Sequence, residues 1–207
     1  MSAAPLSESE LRPEPSVWDP LPDWAVPSVK GFVAEDLDRL PGIPPHTELI
    51  DGNLVFVSSQ TRFHTRMLSL LERELSKAAP DHLRVEREMT VKLGRRQRPE
   101  PDLVVLHAHA AADLMRTFYE AADVLLAVEV VSEESEERDR KRKPFLYAEA
   151  GIPYFWRVEY ESGRPAVYVH HLDPAVRGYA LTGVHRDHLR LRLPFDLDID
   201  LTEITRI

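Results

Sequence analysis

The chain has 207 residues, of which 43% are hydrophobic and 29% charged, and a formal net charge of -9. That length suits a single packed domain with an added arm, and the absence of cysteine excludes disulfides and thiolate metal sites. No apolar run approaches the roughly 18 residues needed to cross a bilayer, the N-terminal MSAAPLSESELRPEPS has no basic start followed by an apolar stretch, and the acidic balance argues against strong non-specific affinity for duplex DNA. A soluble, cytoplasmic protein is the expectation.

Residues 1–28 contain six prolines and few apolar pairs, which predicts a flexible arm in which only Trp18 and Trp24 could dock elsewhere. Residues 29–207 form the expected domain. Phe32, Leu37 and Leu40 fit a short amphipathic helix ended by Pro41-Gly42. Glu48-Leu49-Ile50, the turn pair Asp51-Gly52 and Leu54-Val55-Phe56-Val57 predict a hairpin. From Arg62 to Ala79, Phe63, Met67, Leu68, Leu71 and Leu75 recur at helical spacing, and Pro80 stops the run. Val85 to Leu93 alternates as one strand, followed by a turn over residues 94–98. Leu103 to Leu106 and Val124 to Val131 are short apolar strands of the kind buried on both faces. A helix at Phe145 to Ala150 ends at Gly151, with Pro153 beyond. Strands follow at Tyr154 to Val158, Val167 to His171, Tyr179 to Val184 and Leu189 to Leu193. The ending LPFDLDIDLTE reads only as an acidic stretch.

The residues that break these patterns carry the chemistry. Glu129 sits inside VLLAVEVV, where an ionised carboxylate is costly unless a cation or several donors meet it. Asp102 opens the strand DLVVL, after Pro101. If the two strands run antiparallel side by side, the start of the first lies near the end of the second, and the two acids converge as a hard-oxygen site suited to Mg²⁺ or Mn²⁺. The run ERDRKRK, about fourteen residues past Glu129, offers Lys143 and Lys141, and Lys143 falls where Pro144 would suit a first helical turn. Glu48, on the hairpin, and His64, near the start of the long helix, are further candidates. Plainer roles stand beside each: an arginine partner for Glu129, a turn or cap for Asp102, an exposed strand position for Glu48, a surface position for His64, and a solvated helix face for most of 138–143. There is no glycine-rich phosphate loop, no G-x-S-x-G and no H-E-x-x-H.

ELIDGNLV (48–55), RPEPDLVVL (98–106), LLAVEVVSEES (125–135) and DRKRKPFLYAEAGIPYFWRV (139–158) occur in an order and spacing that resemble the Uma endonuclease family of the PD-(D/E)XK superfamily. The resemblance covers about residues 30–200. It implies an α/β (α+β), restriction-endonuclease-like core, with a central mixed sheet flanked by helices. It implies that Asp102 and Glu129 are the metal-binding acids, with Glu48 similar to an acid the family carries in its first strand. The superfamily's usual lysine position holds Val131, and Lys143 is similar to a migrated lysine; His64 resembles a histidine at the start of the long helix. The implied activity is Mg²⁺- or Mn²⁺-dependent cleavage of DNA, with Asp102, Glu129 and Lys143 catalytic and His64, Arg140 and Lys141 near phosphate. The basic residues 138–142 and Arg95 to Arg98 would grip the backbone, and a homodimer would suit two-strand cleavage. The chain departs from the pattern at Ser132-Glu133-Glu134-Ser135, where the family usually has S-P-S-T. Those acids keep open a second expectation, a binding or scaffold protein with the nuclease fold and no activity; a hydrolase of small phosphoesters is a third.

Overall fold

The computed structural model describes residues 25–27, 29–57 and 59–206. Almost all of the expected arm, with Trp18 and Trp24, lies outside the described residues.

The hairpin forms as β1 (Thr47–Ile50) and β2 (Asn53–Phe56). Its turn needs left-handed backbone at both central residues, and Asp51 and Gly52 supply it at φ 57° and 77°. The amphipathic run becomes α1 (Arg62–Ala78), whose N-cap Thr61 accepts the His64 N–H at 3.2 Å. The stretch expected as one strand from Val85 is two, β3 (Leu83–Arg87) and β4 (Thr90–Lys92). The break is at Glu88, at φ 53°, which turns the chain out of one sheet and into another.

Five more strands complete the two larger pairings: β5 (Leu103–His107), β6 (Phe118–Glu120), β7 (Val124–Val130), β8 (Tyr154–Glu161) and β9 (Arg164–Asp173). Of these, β5, β7, β8 and β9 join β3 and β10 (Gly178–His185) in a six-stranded sheet in the order β10-β9-β8-β7-β5-β3, while β6 pairs with β4. Only β7 and β8 run parallel within the large sheet. Their crossover passes through α2 (Lys143–Glu149), which ends at Gly151, at φ 81°. The architecture is therefore α+β, a mixed sheet with a helix on each face.

Side chains alternate across that sheet. Leu103, Val105, Leu126, Val128, Val130 and Trp156 pack against Met67, Leu68, Leu71 and Leu75 of α1. Val104, Leu106, Ala127 and Phe155 face Tyr147 of α2 and Ile152. Period two places Glu129 with Ala127, so its carboxyl points at α2.

Three expectations change. Phe32 to Leu40 holds only a 3₁₀ turn, Ala34–Asp38. The acidic ending contains β12 (Leu197–Asp200), paired with β11 (His188–Leu191); Leu197 and Ile199 are buried while Asp198 is exposed. Arg98 is no phosphate grip. It is 3% exposed and holds Asp38 in a two-pronged pair, with Nη1–Oδ2 at 2.6 Å and Nη2–Oδ1 at 2.9 Å. Arg98 also donates to Thr90 Oγ1 and the Ala34 carbonyl. That pair ties the 3₁₀ turn to the segment leading into β5, and Arg98→Ala is expected to cost about 2 kcal/mol at pH 7. Arg98 holds the Asp38 carboxyl below its usual range. A lowered folded value means the pair's contribution is full above the unfolded carboxylate value near 4 and is lost as pH falls through the folded one. Urea titrations of parent and variant should therefore differ most near neutrality and converge in acid.

Candidate active site

The site is assembled at the carboxyl end of β7 and β8. β5 pairs antiparallel with β7, Leu103 opposite Val128, which sets Asp102 beside the end of β7. Asp102 Oδ2 accepts the Val130 N–H at 2.6 Å, and Oδ1 lies 2.8 Å from His64 Nε2. The cap at Thr61 fixes the first turn of α1 and so brings His64 to that carboxylate. β1 is stitched to the strand-like segment before β5 by reciprocal Leu49 and Arg98 backbone bonds of 3.0 and 2.7 Å. Glu48, 1% exposed, then accepts the Glu100 N–H at 2.9 Å.

Lys143 stands at the centre. Its Nζ is 2.8 Å from Glu48 Oε1, 2.9 Å from Glu129 Oε2 and 3.3 Å from Asp139 Oδ1. Tyr147 donates its hydroxyl to Glu129 Oε1 at 2.5 Å. Asp139, Lys143 and Tyr147 share one face because the chain enters α2 through a π-helical turn, Arg138–Arg142, a local widening common at functional sites. Burial raises the Glu129 carboxyl well above the carboxylate range, against the pull of Lys143. Burial raises Asp139 as well. Burial would lower the Lys143 ammonium, but Asp139, Glu129 and Glu48 outweigh it and hold it well above its usual value. Tyr147 is raised too, by burial and by the Glu129 charge.

The donor set suits a hard divalent cation. Glu48, Asp102, Glu129 and Asp139 are four of the six carboxylates that line one cavity of 420 Å³, which the Lys143 ammonium and Arg138 also line. Two of their oxygens, Glu48 Oε2 and Asp139 Oδ1, are buried without a hydrogen bond among the described residues. The Lys143 contact to Asp139 Oδ1 is thus an ion pair without hydrogen-bond alignment. Among the described residues no three acidic or imidazole side chains are pre-set around one point, since the Lys143 ammonium lies between them.

Glu48, His64, Asp102, Glu129 and Lys143 are all brought to this cavity. Arg140 and Lys141 are not. Arg140 turns to Glu159 and Glu136, and Lys141 is paired with Glu137 at 3.4 Å. The other arginines of the 138–142 run are committed as well, Arg138 to Glu134 and Arg142 to Asp51. Asp139 and Tyr147 escaped the sequence reading. Their signal was a stripe at intervals of four residues, 139, 143 and 147, hidden in a run that reads as basic and solvated.

This fold and this acid-lined cavity define a nuclease-like α+β class. A crystal structure described as a putative nuclease belonging to DUF820, from Anabaena variabilis ATCC 29413, superposes with a TM-score of 0.65 over 84% of this chain and 98% of that one, at 13% identity, a likeness of fold. The family model Uma2, putative restriction endonuclease, matches residues 34–202, and the chain belongs to that family. No curated protein matches the chain. No helix among the described residues is long and apolar enough to cross a membrane.

Proposed function

We propose that the chain is a divalent-metal-dependent endonuclease that hydrolyses DNA phosphodiester bonds, working in the cytoplasm. The observation that carries this is the convergence of Glu48, Glu129 and Asp139 on the Lys143 ammonium, with Asp102 beside them, in an open cavity at the sheet end. Asp102, Glu129 and Glu48 would hold Mg²⁺ or Mn²⁺, with Asp139 as a further oxygen donor. The bound ion would supply a Lewis acid for the phosphate and a more acidic water. Lys143 holds its proton tightly, so its part is to orient the attacking water and offset charge on the phosphate. Tyr147 fixes the Glu129 carboxyl through its hydroxyl. His64, through Asp102, would set the direction of that carboxylate. A homodimer would present two such sites to two strands.

A second reading, a nuclease-fold binding protein without activity, is favoured by one observation. Lys143 already satisfies Glu129 and contacts Glu48 and Asp139, and the arginines nearest the cavity are paired with acids. Calorimetric titration with Mn²⁺ and Mg²⁺, run beside plasmid cleavage with and without chelator, separates the two. The nuclease reading predicts saturable metal binding and cleavage that the chelator stops. A folded sample with no metal affinity and no cleavage supports the scaffold.

A further inference from the structure

A second cavity, of 370 Å³, opens at the same end of the sheet and on its other face. Tyr160 shares a sheet face with Trp156 and Val158, opposite to Glu129, and lies two residues, roughly 7 Å, beyond Val158 along β8. Val158 accepts the Val131 N–H at 2.8 Å, so Tyr160 projects past the strand end that carries the acids. Its ring packs on Phe63 of α1, centroids 4.8 Å apart, and Tyr160 remains 60% exposed. Arg62, Arg66, Arg164 and Arg186 surround the pair.

The cations are incompletely neutralised. Arg164 is 3.7 Å from Asp187, Arg186 is 3.1 Å from Glu161, and Arg66 donates to the Ile204 carbonyl at 3.2 Å. The Arg62 side chain is exposed and makes no hydrogen bond or ion pair among the described residues. Four guanidinium groups thus meet two carboxylates, on a chain whose net charge is -9. A flat aromatic surface ringed by arginine is the chemistry that holds unpaired nucleotides, bases by stacking and phosphates by charge. A duplex offers no free base face for such a surface. The segment 59–66 joins the two places: Ser59, Gln60 and His64 line the catalytic cavity, and Arg62, Phe63 and Arg66 line this one.

We infer that this cavity binds a single-stranded nucleic-acid segment that runs on from the catalytic cavity, one base laid against Tyr160 and Phe63 and the neighbouring phosphates held by Arg62, Arg164 and Arg186. The inference rests on the nuclease reading above and adds to it a strand-binding subsite.

The test is fluorescence anisotropy with a fluorescein-labelled oligothymidylate of about a dozen nucleotides, without metal, on the full chain carrying Asp102→Asn so that the strand stays whole. Adding Tyr160→Leu should weaken binding roughly 5- to 100-fold. Adding Arg164→Gln and Arg186→Gln together should flatten the slope of log affinity against log salt by about 1.4. Arg62→Gln, at an exposed position, gives a third variant should either of the others fail to fold. Folded variants that bind like their parent, while the unsubstituted chain still cleaves DNA in Mg²⁺, overturn the subsite and leave the nuclease reading standing. A chain that neither binds the oligonucleotide nor cleaves DNA with any divalent metal overturns both.

Discussion

Lys143→Met is expected to lower the stability of the metal-free protein by about 3–5 kcal/mol at pH 7, the range for removing one partner of a buried charge group. The side chain is nearly isosteric, so the loss is electrostatic. Glu48, Glu129 and Asp139 would face one another with no ammonium between them. Burial already raises Glu129 and Asp139 with Lys143 present, and without it they rise further. A carboxyl raised in the fold contributes fully below its unfolded value near 4 and loses that contribution as pH rises through the folded one. Lys143, raised above its usual value, keeps its own contribution intact across this range. The variant should therefore approach its parent in stability between about pH 5 and 4 and fall furthest behind at neutral pH. Because the variant's acids have no internal cation, Mn²⁺ should raise its melting temperature more than it raises the parent's. Urea titrations at pH 5 and 7, with and without Mn²⁺, check all three statements. A variant as stable as the parent at pH 7 would show that the three acids are not held by this ammonium.

Asp102→Asn is expected to cut metal-dependent DNA cleavage by about 1000-fold, equivalent to about 4 kcal/mol of lost transition-state stabilisation. The fold should tolerate it. Asp102 uses one oxygen to accept the Val130 N–H and the other to meet His64 Nε2. Asparagine can keep the first contact through its carbonyl and offer its amide to the imidazole for the second. What it loses is the negative charge that a divalent ion needs. Cleavage rates with purified plasmid, alongside melting curves for both proteins, separate loss of chemistry from loss of fold. An Asp102→Asn protein that cleaves at the parent's rate removes Asp102 from the proposed metal site.

These two residues also mark what the sequence makes legible. Asp102 and Glu129 could be paired because adjacent antiparallel strands set the beginning of one against the end of the other, and an acid in an apolar strand needs a cation. The hairpin was legible for a similar reason, since Asp51-Gly52 fits a turn that few other dipeptides enter. Asp139 was not, because a carboxylate among five basic residues looks like surface, and a π-helical turn shifts which positions share a face. Arg98 misled in the opposite direction. Its neighbours Arg95 and Arg96 are exposed, and nothing local distinguishes it from them. Its partner Asp38 lies sixty residues away, a contact that only tertiary structure creates. β12 was visible as the alternation Leu197, Asp198, Ile199, Asp200, but acidic composition concealed a period of two whose apolar members are buried.

On the proposed function, Glu48, Asp102 and Glu129 share a divalent cation in place of, or beside, the Lys143 ammonium. Crystals grown or soaked in Mn²⁺ and measured at its absorption edge test this directly. An anomalous peak is expected among those three carboxylates, with Lys143 Nζ displaced from at least one of them. An empty difference map at saturating Mn²⁺, with Lys143 still seated between Glu48 and Glu129, would contradict it.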